Sequence, residues 1–508
     1  MQIRPRNYAS AATVSALALV LAGPAAADVT AEDVWAMLEG SFEVYGDGLT
    51  YDAPTMDGDT LTIANIRVDA VTDGMSFASD MGSLTFTENG DGTVTVGMAD
   101  EITLILGPEE GANDGERMEI LLRQPDQQIV ASGTPEEMLF DVTAPTVELS
   151  LVEFVDGGNP VPAEASLTLN DISGSYTMRE GDLREIDYDM AIGGMNVLID
   201  VSEGDEVVFF LSGQAADLGM EMFLATPPGM DMMADPEEMA DIFAQGFAMD
   251  LAYSIGQSAY MFEFNDGPDS GSGTVSAATS ALDMSFDYDA VSYDAAITGL
   301  DLSILTPDLP FPIEASLSEY GIGLSMPLSA TEEPAEWSVS ADLVDLVISD
   351  MIWSMLDPSG QFARAPATLR LAMSGTATLF YDLLDPAQQE ELAMAEMPGE
   401  LNSASLDQLQ LSVEGAELTG EGAFTFDNTD TTTFPGYPRP TGDLALRVSG
   451  AFALMESLVG MGLLPPDAVN QARMMSGMFA RSTGEDQFET TVEVNEQGHL
   501  IVNGQRLQ

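Results

Sequence analysis

One histidine, His499, is this chain's whole supply of imidazole, and there is no cysteine and no lysine. A Ser-His-Asp or Cys-His arrangement would have to use His499. It follows Gly498 in a segment patterned as a terminal turn, and no Gly-x-Ser-x-Gly elbow accompanies it, so an exposed turn histidine is the ordinary reading. A histidine zinc site fails on ligand number. Carboxylates are abundant, at 85 Asp plus Glu, so finding two together says nothing by itself. Glycoside hydrolysis would need a pair held roughly 5 to 10 Å apart. Calcium would suit so many oxygens, yet no Asp-x-Asp-x-Asp-Gly loop and no Gly-Gly-x-Gly-x-Asp repeat occurs. Asp57-Gly58-Asp59 and Asn89-Gly90-Asp91-Gly92 read as turns, leaving weak surface binding as the calcium expectation. Met230-Asp231-Met232-Met233 and Met474-Met475-Ser476-Gly477-Met478 offer thioethers to Cu(I), but without a nearby Cys or His they read as adaptable apolar filler. Arg364 and Arg370, near Asp350 and Asp357, are expected to form structural ion pairs, with an arginine fork on a carboxylate and ligand anchoring as the lesser reading. No catalytic, cofactor or metal residue is assigned.

The cation shortage bounds the partners. All 14 basic residues are arginine, and the net charge is −71. Nucleic-acid binding needs Lys and Arg to displace counterions from phosphates, so it is excluded. Anionic lipid surfaces are repelled unless divalent cations bridge. The carboxylates are spread rather than run together, which reads as a solvated coat favouring solubility and salt tolerance.

The first 27 residues read as a signal peptide. Arg4 and Arg6 form a positive start, residues 11–21 an apolar stretch, and Ala25-Ala26-Ala27 a cleavage pattern before Asp28. Roughly a dozen apolar residues cannot cross a bilayer core needing about 20. Pro5 splits the arginines, so the twin-arginine pattern is absent. Removing 27 residues from 508 leaves 481 and moves the charge to −73. The expectation is an exported, periplasmic protein with no later membrane span, held together without disulfides.

Strand patterns must position whatever the chain uses. Leu61-Thr62-Ile63-Ala64-Asn65-Ile66-Arg67-Val68 alternates with period two, and residues 84–87 and 93–96 flank a glycine turn as a hairpin. Residues 167–169, 176–178, 195–201, 207–211, 249–254, 260–264, 282–288 and 322–326 continue the pattern, with strands expected every 8 to 12 residues or so. Helices are predicted from Thr30 as N-cap to Glu39, over 235–247, 343–356 and 387–397, and as a pair at 452–463 and 467–479 broken by Pro465-Pro466. A terminal hairpin joins 488–494 to 500–502. Tyr188-Asp189-Met190-Ala191-Ile192-Gly193-Gly194 and Tyr293-Asp294-Ala295-Ala296-Ile297-Thr298-Gly299 share Tyr-Asp-x-Ala-Ile-x-Gly, which either marks a duplication or the same strand pattern used twice. The fold class is therefore mainly β with a few helices (α+β), a long curled antiparallel sheet open to division into modules at 28–226 and 227–508.

Trp353-Ser354-Met355-Leu356-Asp357-Pro358, Arg364-Ala365-Pro366-Ala367-Thr368-Leu369, Pro307-Asp308-Leu309-Pro310-Phe311-Pro312 and the closing Gly498-x-Leu500-x-Val502-Asn503-Gly504 carry a resemblance. Together they resemble the alphaproteobacterial family named domain of unknown function 2125, over nearly all the mature chain. The closing helix pair and hairpin also resemble another bacterial envelope family of unknown function. Neither resemblance implies an activity, only location and fold.

The functional expectation is a non-enzymatic envelope binding or structural role, with an apolar sheet groove for a lipid or extended apolar ligand. An envelope protein is the other expected partner class, no cofactor is expected, and the oligomeric state is left open. The alternative is a carboxylate-based hydrolase of glycans.

Overall fold

A computed structural model describes residues 29–42, 48–72, 75–108, 116–203, 206–227, 241–266, 269–395 and 397–507. The signal-peptide reading of residues 1–27 lies outside them. The protein is mainly β with few helices, and its strands pair antiparallel into one large sheet. In pairing order the sheet opens with Leu49–Thr50 and Thr55–Asp57, both on Thr60–Thr72. It closes with Arg481–Gly484 and Leu500–Val502, both on Gln487–Val494, and then Gln505–Arg506. Both edges are built from short strands, which leaves little template for edge-to-edge pairing.

Many strands are longer than the alternation alone suggests. Glu137–Asp156 and Arg184–Glu203 run 20 residues each, and Glu206–Thr226 runs 21. Segments 167–169 and 176–178, read as separate strands, belong to the single strand Ala163–Glu180. The cause is a crease that crosses the sheet. Asn65, Asp171, Asp217 and Asp345 have φ of 54°, 53°, 52° and 53°, and Gly82 and Gly299 join them at 72° and 57°. Asp171 faces the gap at Pro145 on one neighbour and Gly193 on the other, and Gly193 faces Asp217. Farther on, Gly256 donates its N–H to the Ala216 carbonyl at 2.9 Å, Gly299 lies opposite Ser318, and Ser318 Oγ donates to Asp345 Oδ2 at 3.1 Å. Asp and Asn reach this left-handed backbone more easily than other side chains, and Gly pays nothing.

Each crease residue shifts the alternation by one. In Ala163–Glu180 the apolar set is Leu167 and Leu169 before Asp171, then Ile172, Tyr176 and Met178 after it. In Glu206–Thr226 it is Phe209 and Leu211 before Asp217, then Leu218, Met220 and Met222 after it. An α-type residue in a strand puts two successive side chains on one side, as in a bulge, so the shifted spacing keeps one face apolar across the bend.

The same shift explains a correction. Residues 343–356 are not one helix: Ala335–Ile348 is a strand and only Asp350–Leu356 (α2) is helical. Around Asp345 the apolar positions 341, 343, 346 and 348 include a three-residue step that imitates helical spacing. The other helices are α1 (Ala31–Phe42), α3 (Gln389–Met394) after the 3₁₀ turn Pro386–Gln388, α4 (Ala451–Gly460) and α5 (Ala468–Phe479). Residues 241–244 are helical, and the expected start of that helix lies outside the described residues. Thr30 caps α1 reciprocally: Asp33 N donates to Thr30 Oγ1 at 3.2 Å and Thr30 N to Asp33 Oδ2 at 3.0 Å. The hairpins at 84–96 and 487–502 form as read.

Full burial concentrates at one end. Ile63, Ile66, Phe86, Val94, Met138 and Phe140 are buried beneath α1, whose Trp35 meets Tyr51 edge-on at 5.1 Å. The rest of the sheet keeps most of its apolar side chains only half-buried.

Candidate ligand-binding face

One row of directly opposed residues crosses the sheet on its apolar side. From under α1 it runs Val94, Ala131, Phe140, Tyr176, Tyr188, Met222. It continues through Leu251, Met284, Tyr293, Leu324, Val339, Met373 and Leu406. It ends on Gly422, Leu444, Val492 and Val502. No member carries a charge. With strands about 4.8 Å apart, the row spans on the order of 75 Å before twist and bending shorten it.

Cover over this row changes along its length. α1 closes the first part, and Phe140 stacks on Tyr176 at 4.5 Å, with Tyr188 beyond at 6.2 Å. Burial pushes the Tyr176 and Tyr188 phenols up from their ordinary value, keeping both neutral. Phe243, in the helical turn 241–244, meets Phe286 edge-on at 4.7 Å beside the row. Beyond that point the face opens. Tyr293 is 37% exposed, Ile322 42% and Leu324 43%, with Leu369, Leu401 and Leu411 comparably open. Trp337 lies on the same face, and its indole N–H is buried without a hydrogen-bond partner. A second row in the other half of the sheet runs Ile102, Leu122, Leu149, Leu167, Val197, Gly213, Tyr260, Val275, Leu302. A side chain at Gly213 would strike the Tyr260 ring, whose Cδ1 lies 2.0 Å from the Cβ position.

The reverse side is polar. Directly opposed residues there run Asp141, Ser175, Asp189, Glu221, Ala252, Asp283, Asp294, Gly323, Ser340. Like charges therefore face each other at Asp189–Glu221 and Asp283–Asp294, an unfavourable cross-strand arrangement. Burial, then the neighbouring Asp283 and Asp342 carboxylates, pushes Asp294 above the usual carboxylate range. An open concavity of about 570 Å³ lies on this side, bordered by Asp187, Asp189, Glu221, Asp250 and Asp283. Another of about 620 Å³ borders Val197, Tyr260 and Val275.

Arg364 Nη1 donates to Asp350 Oδ1 at 2.6 Å, joining the segment after α2 to its first turn. Arg370 instead holds Glu319 at 2.8 Å and approaches Asp342 at 3.7 Å. Asp357 is 1% exposed and meets no arginine; it accepts Phe362 N at 2.8 Å and Ser359 Oγ at 3.1 Å, which hold it below the usual carboxylate range. Trp353 packs edge-on against Phe362 at 5.8 Å, so the Trp-Ser-Met-Leu-Asp-Pro segment closes on itself as a latch. His499 N donates to Asn495 Oδ1 at 3.1 Å within the terminal turn. The arginines repeat one device: Arg67 lies opposite Asp80, Arg123 opposite Glu101, Arg179 opposite Glu137, Arg439 opposite Asp427 and Arg447 opposite Glu489. Each pair is ion-bonded and pins its strand register.

Residues 261–503 match the family described as an uncharacterized protein conserved in bacteria, DUF2125. The match includes the latch, Arg364, Arg370 and the open part of the apolar row, and it is shorter than the nearly full coverage the resemblance implied. No curated protein and no solved structure matches the chain. Among the described residues no helix is long and apolar enough to cross a membrane, and no group of three or more His, Cys, Asp or Glu side chains is arranged to hold a metal ion.

The two Tyr-Asp-x-Ala-Ile-x-Gly segments put Tyr188 and Tyr293 in the same apolar row. Sequence reasoning located their strands but not the row. The usable signal was distance from the crease: Tyr176 and Met222 follow Asp171 and Asp217 by five residues, and Tyr188 precedes Gly193 by five.

Proposed function

We propose that the protein is an exported, periplasmic envelope protein that holds a lipid acyl chain or another extended apolar ligand along its apolar sheet face. The observation that carries this reading is the uncharged row through Tyr293, Leu324 and Val339, open to solvent at its centre. A contiguous exposed apolar surface is costly unless something covers it, and such patches mark binding sites. The Tyr293 and Tyr320 hydroxyls supply polar contacts that orient such a ligand. Export is supported by the signal pattern of residues 1–27. Mass spectrometry of lipid extracted from protein purified out of the periplasm tests the reading. Co-purifying acyl lipid, lost in Ile322→Asp and Leu324→Glu, is the expected result. An empty protein that also ignores added fluorescent fatty acid would overturn it.

The glycan-hydrolase reading has one observation in its favour, the opposed Asp283 and Asp294 with Asp294 raised. Polysaccharide cleavage lost in both Asp283→Asn and Asp294→Asn would establish it.

A further inference from the structure

Helix α5 of the hairpin α4–α5 is built inside out. On α5 the side facing the protein carries small residues, with Val469 buried and Ala468, Ala472 and Ser476 half-buried. The outward stripe carries the large ones: Met474 is 66% exposed, Met475 59% and Met478 69%, with Phe479 at 43% and Leu463 at the tip also open. α4 is apolar along most of its length, and none of its residues is buried. The hairpin is nevertheless firmly seated. Phe452 meets Phe488 edge-on at 5.1 Å, Arg473 lies over the Phe452 ring and bonds Glu456 at 2.6 Å, and Asp486 accepts the N–H groups of Phe452 and Ala453 at 3.1 and 3.0 Å. Its outward stripe is therefore a fixed feature of the fold.

Charge distinguishes this patch from the rest of the chain. Residues 450–484 contain two acids, Glu456 and Asp467, and two arginines, Arg473 and Arg481, so the segment is neutral in a protein of net charge −71. A second copy of the chain would bring the same charge against it, which opposes pairing. An uncharged apolar surface meets no such repulsion, and methionine adapts to a fluid one.

We propose that the outward face of α4–α5 docks the protein on the interface of a zwitterionic lipid bilayer. Met474, Met475, Met478 and Leu463 enter the boundary between headgroups and acyl chains, and the helices lie along it rather than across it. Arg481, 72% exposed beside this face and paired with Glu489 at 3.1 Å, lies at headgroup level.

Flotation of the full-length protein with phosphatidylcholine vesicles at physiological salt tests this. The wild-type chain is expected to float, and Met474→Gln/Met475→Gln/Met478→Gln to partition at least about tenfold more weakly, with unchanged far-ultraviolet circular dichroism. A second variant, Met475→Trp, should show a blue-shifted added emission on vesicles. Failure of the wild type to float, or equal flotation of the triple variant, would overturn the proposal. So would a wild-type dimer that the triple variant dissociates, since the patch would then hold a second copy. Lipid retained by the triple variant separates this result from the ligand reading of the sheet face.

Discussion

Asp171, Asp217 and Asp345 sit where the backbone turns left-handed inside a strand, a conformation that β-branched side chains resist. Asp217→Val is expected to cost about 1–3 kcal/mol, whereas Asp217→Gly should be close to neutral. Denaturant midpoints of the two variants, compared with wild type, check the difference. Asp294 shows the other residue-scale stress, being pushed above the carboxylate range by burial and by acids on both sides. Between the ordinary value of about 3.9 and its raised value, the folded chain holds a proton that the unfolded chain has released. Its destabilising effect is therefore complete above that window and fades as pH falls through it. Asp294→Asn should raise the urea midpoint at pH 7, and the gain should shrink as pH falls toward 4. An Asp294→Asn midpoint below wild type at pH 7 would contradict this electrostatic account.

Elements were legible where their alternation was unbroken. The terminal hairpin and the α4–α5 pair were readable because period two, period 3.6 and Pro465-Pro466 each gave an uninterrupted signal. The long strands were not readable as single elements. The shift at Asp171 looks like a turn between Leu169 and Tyr176, and the one at Asp345 looks like a helix. Strand pairs that bring Tyr188 beside Met222 are also tertiary facts that periodicity along one strand cannot contain. Among the ion pairs, Arg364 and Asp350 were close in sequence, but Glu319, the partner of Arg370, is 51 residues away. At this scale Asp486 is the part to test. It caps α4 from a neighbouring turn, so Asp486→Ala should cost about 1 kcal/mol and speed amide exchange in α4 before the sheet is affected.

The whole molecule carries a net charge of −71 on a sheet whose polar side places carboxylates opposite one another. Self-repulsion of that size is screened over about 10 Å at 0.1 M salt and about 3 Å at 1 M. The melting temperature is expected to rise between 0.05 and 1 M sodium chloride, which differential scanning calorimetry would follow; a fall would place the stabilising weight on the arginine pairs instead. The family match over residues 261–503 adds no activity to this picture, so the sheet face and the helical hairpin remain the surfaces to probe. The crease has one more consequence. Every strand that meets it does so through its own local residue, and among the described residues the first strands pair only with Thr60–Thr72 rather than with the last. Nothing in this geometry fixes how many strands there must be. The architecture can be cut to length like corrugated board, gaining or losing a hairpin without re-registering the remainder, and the reach of its apolar face is set by hairpin count alone.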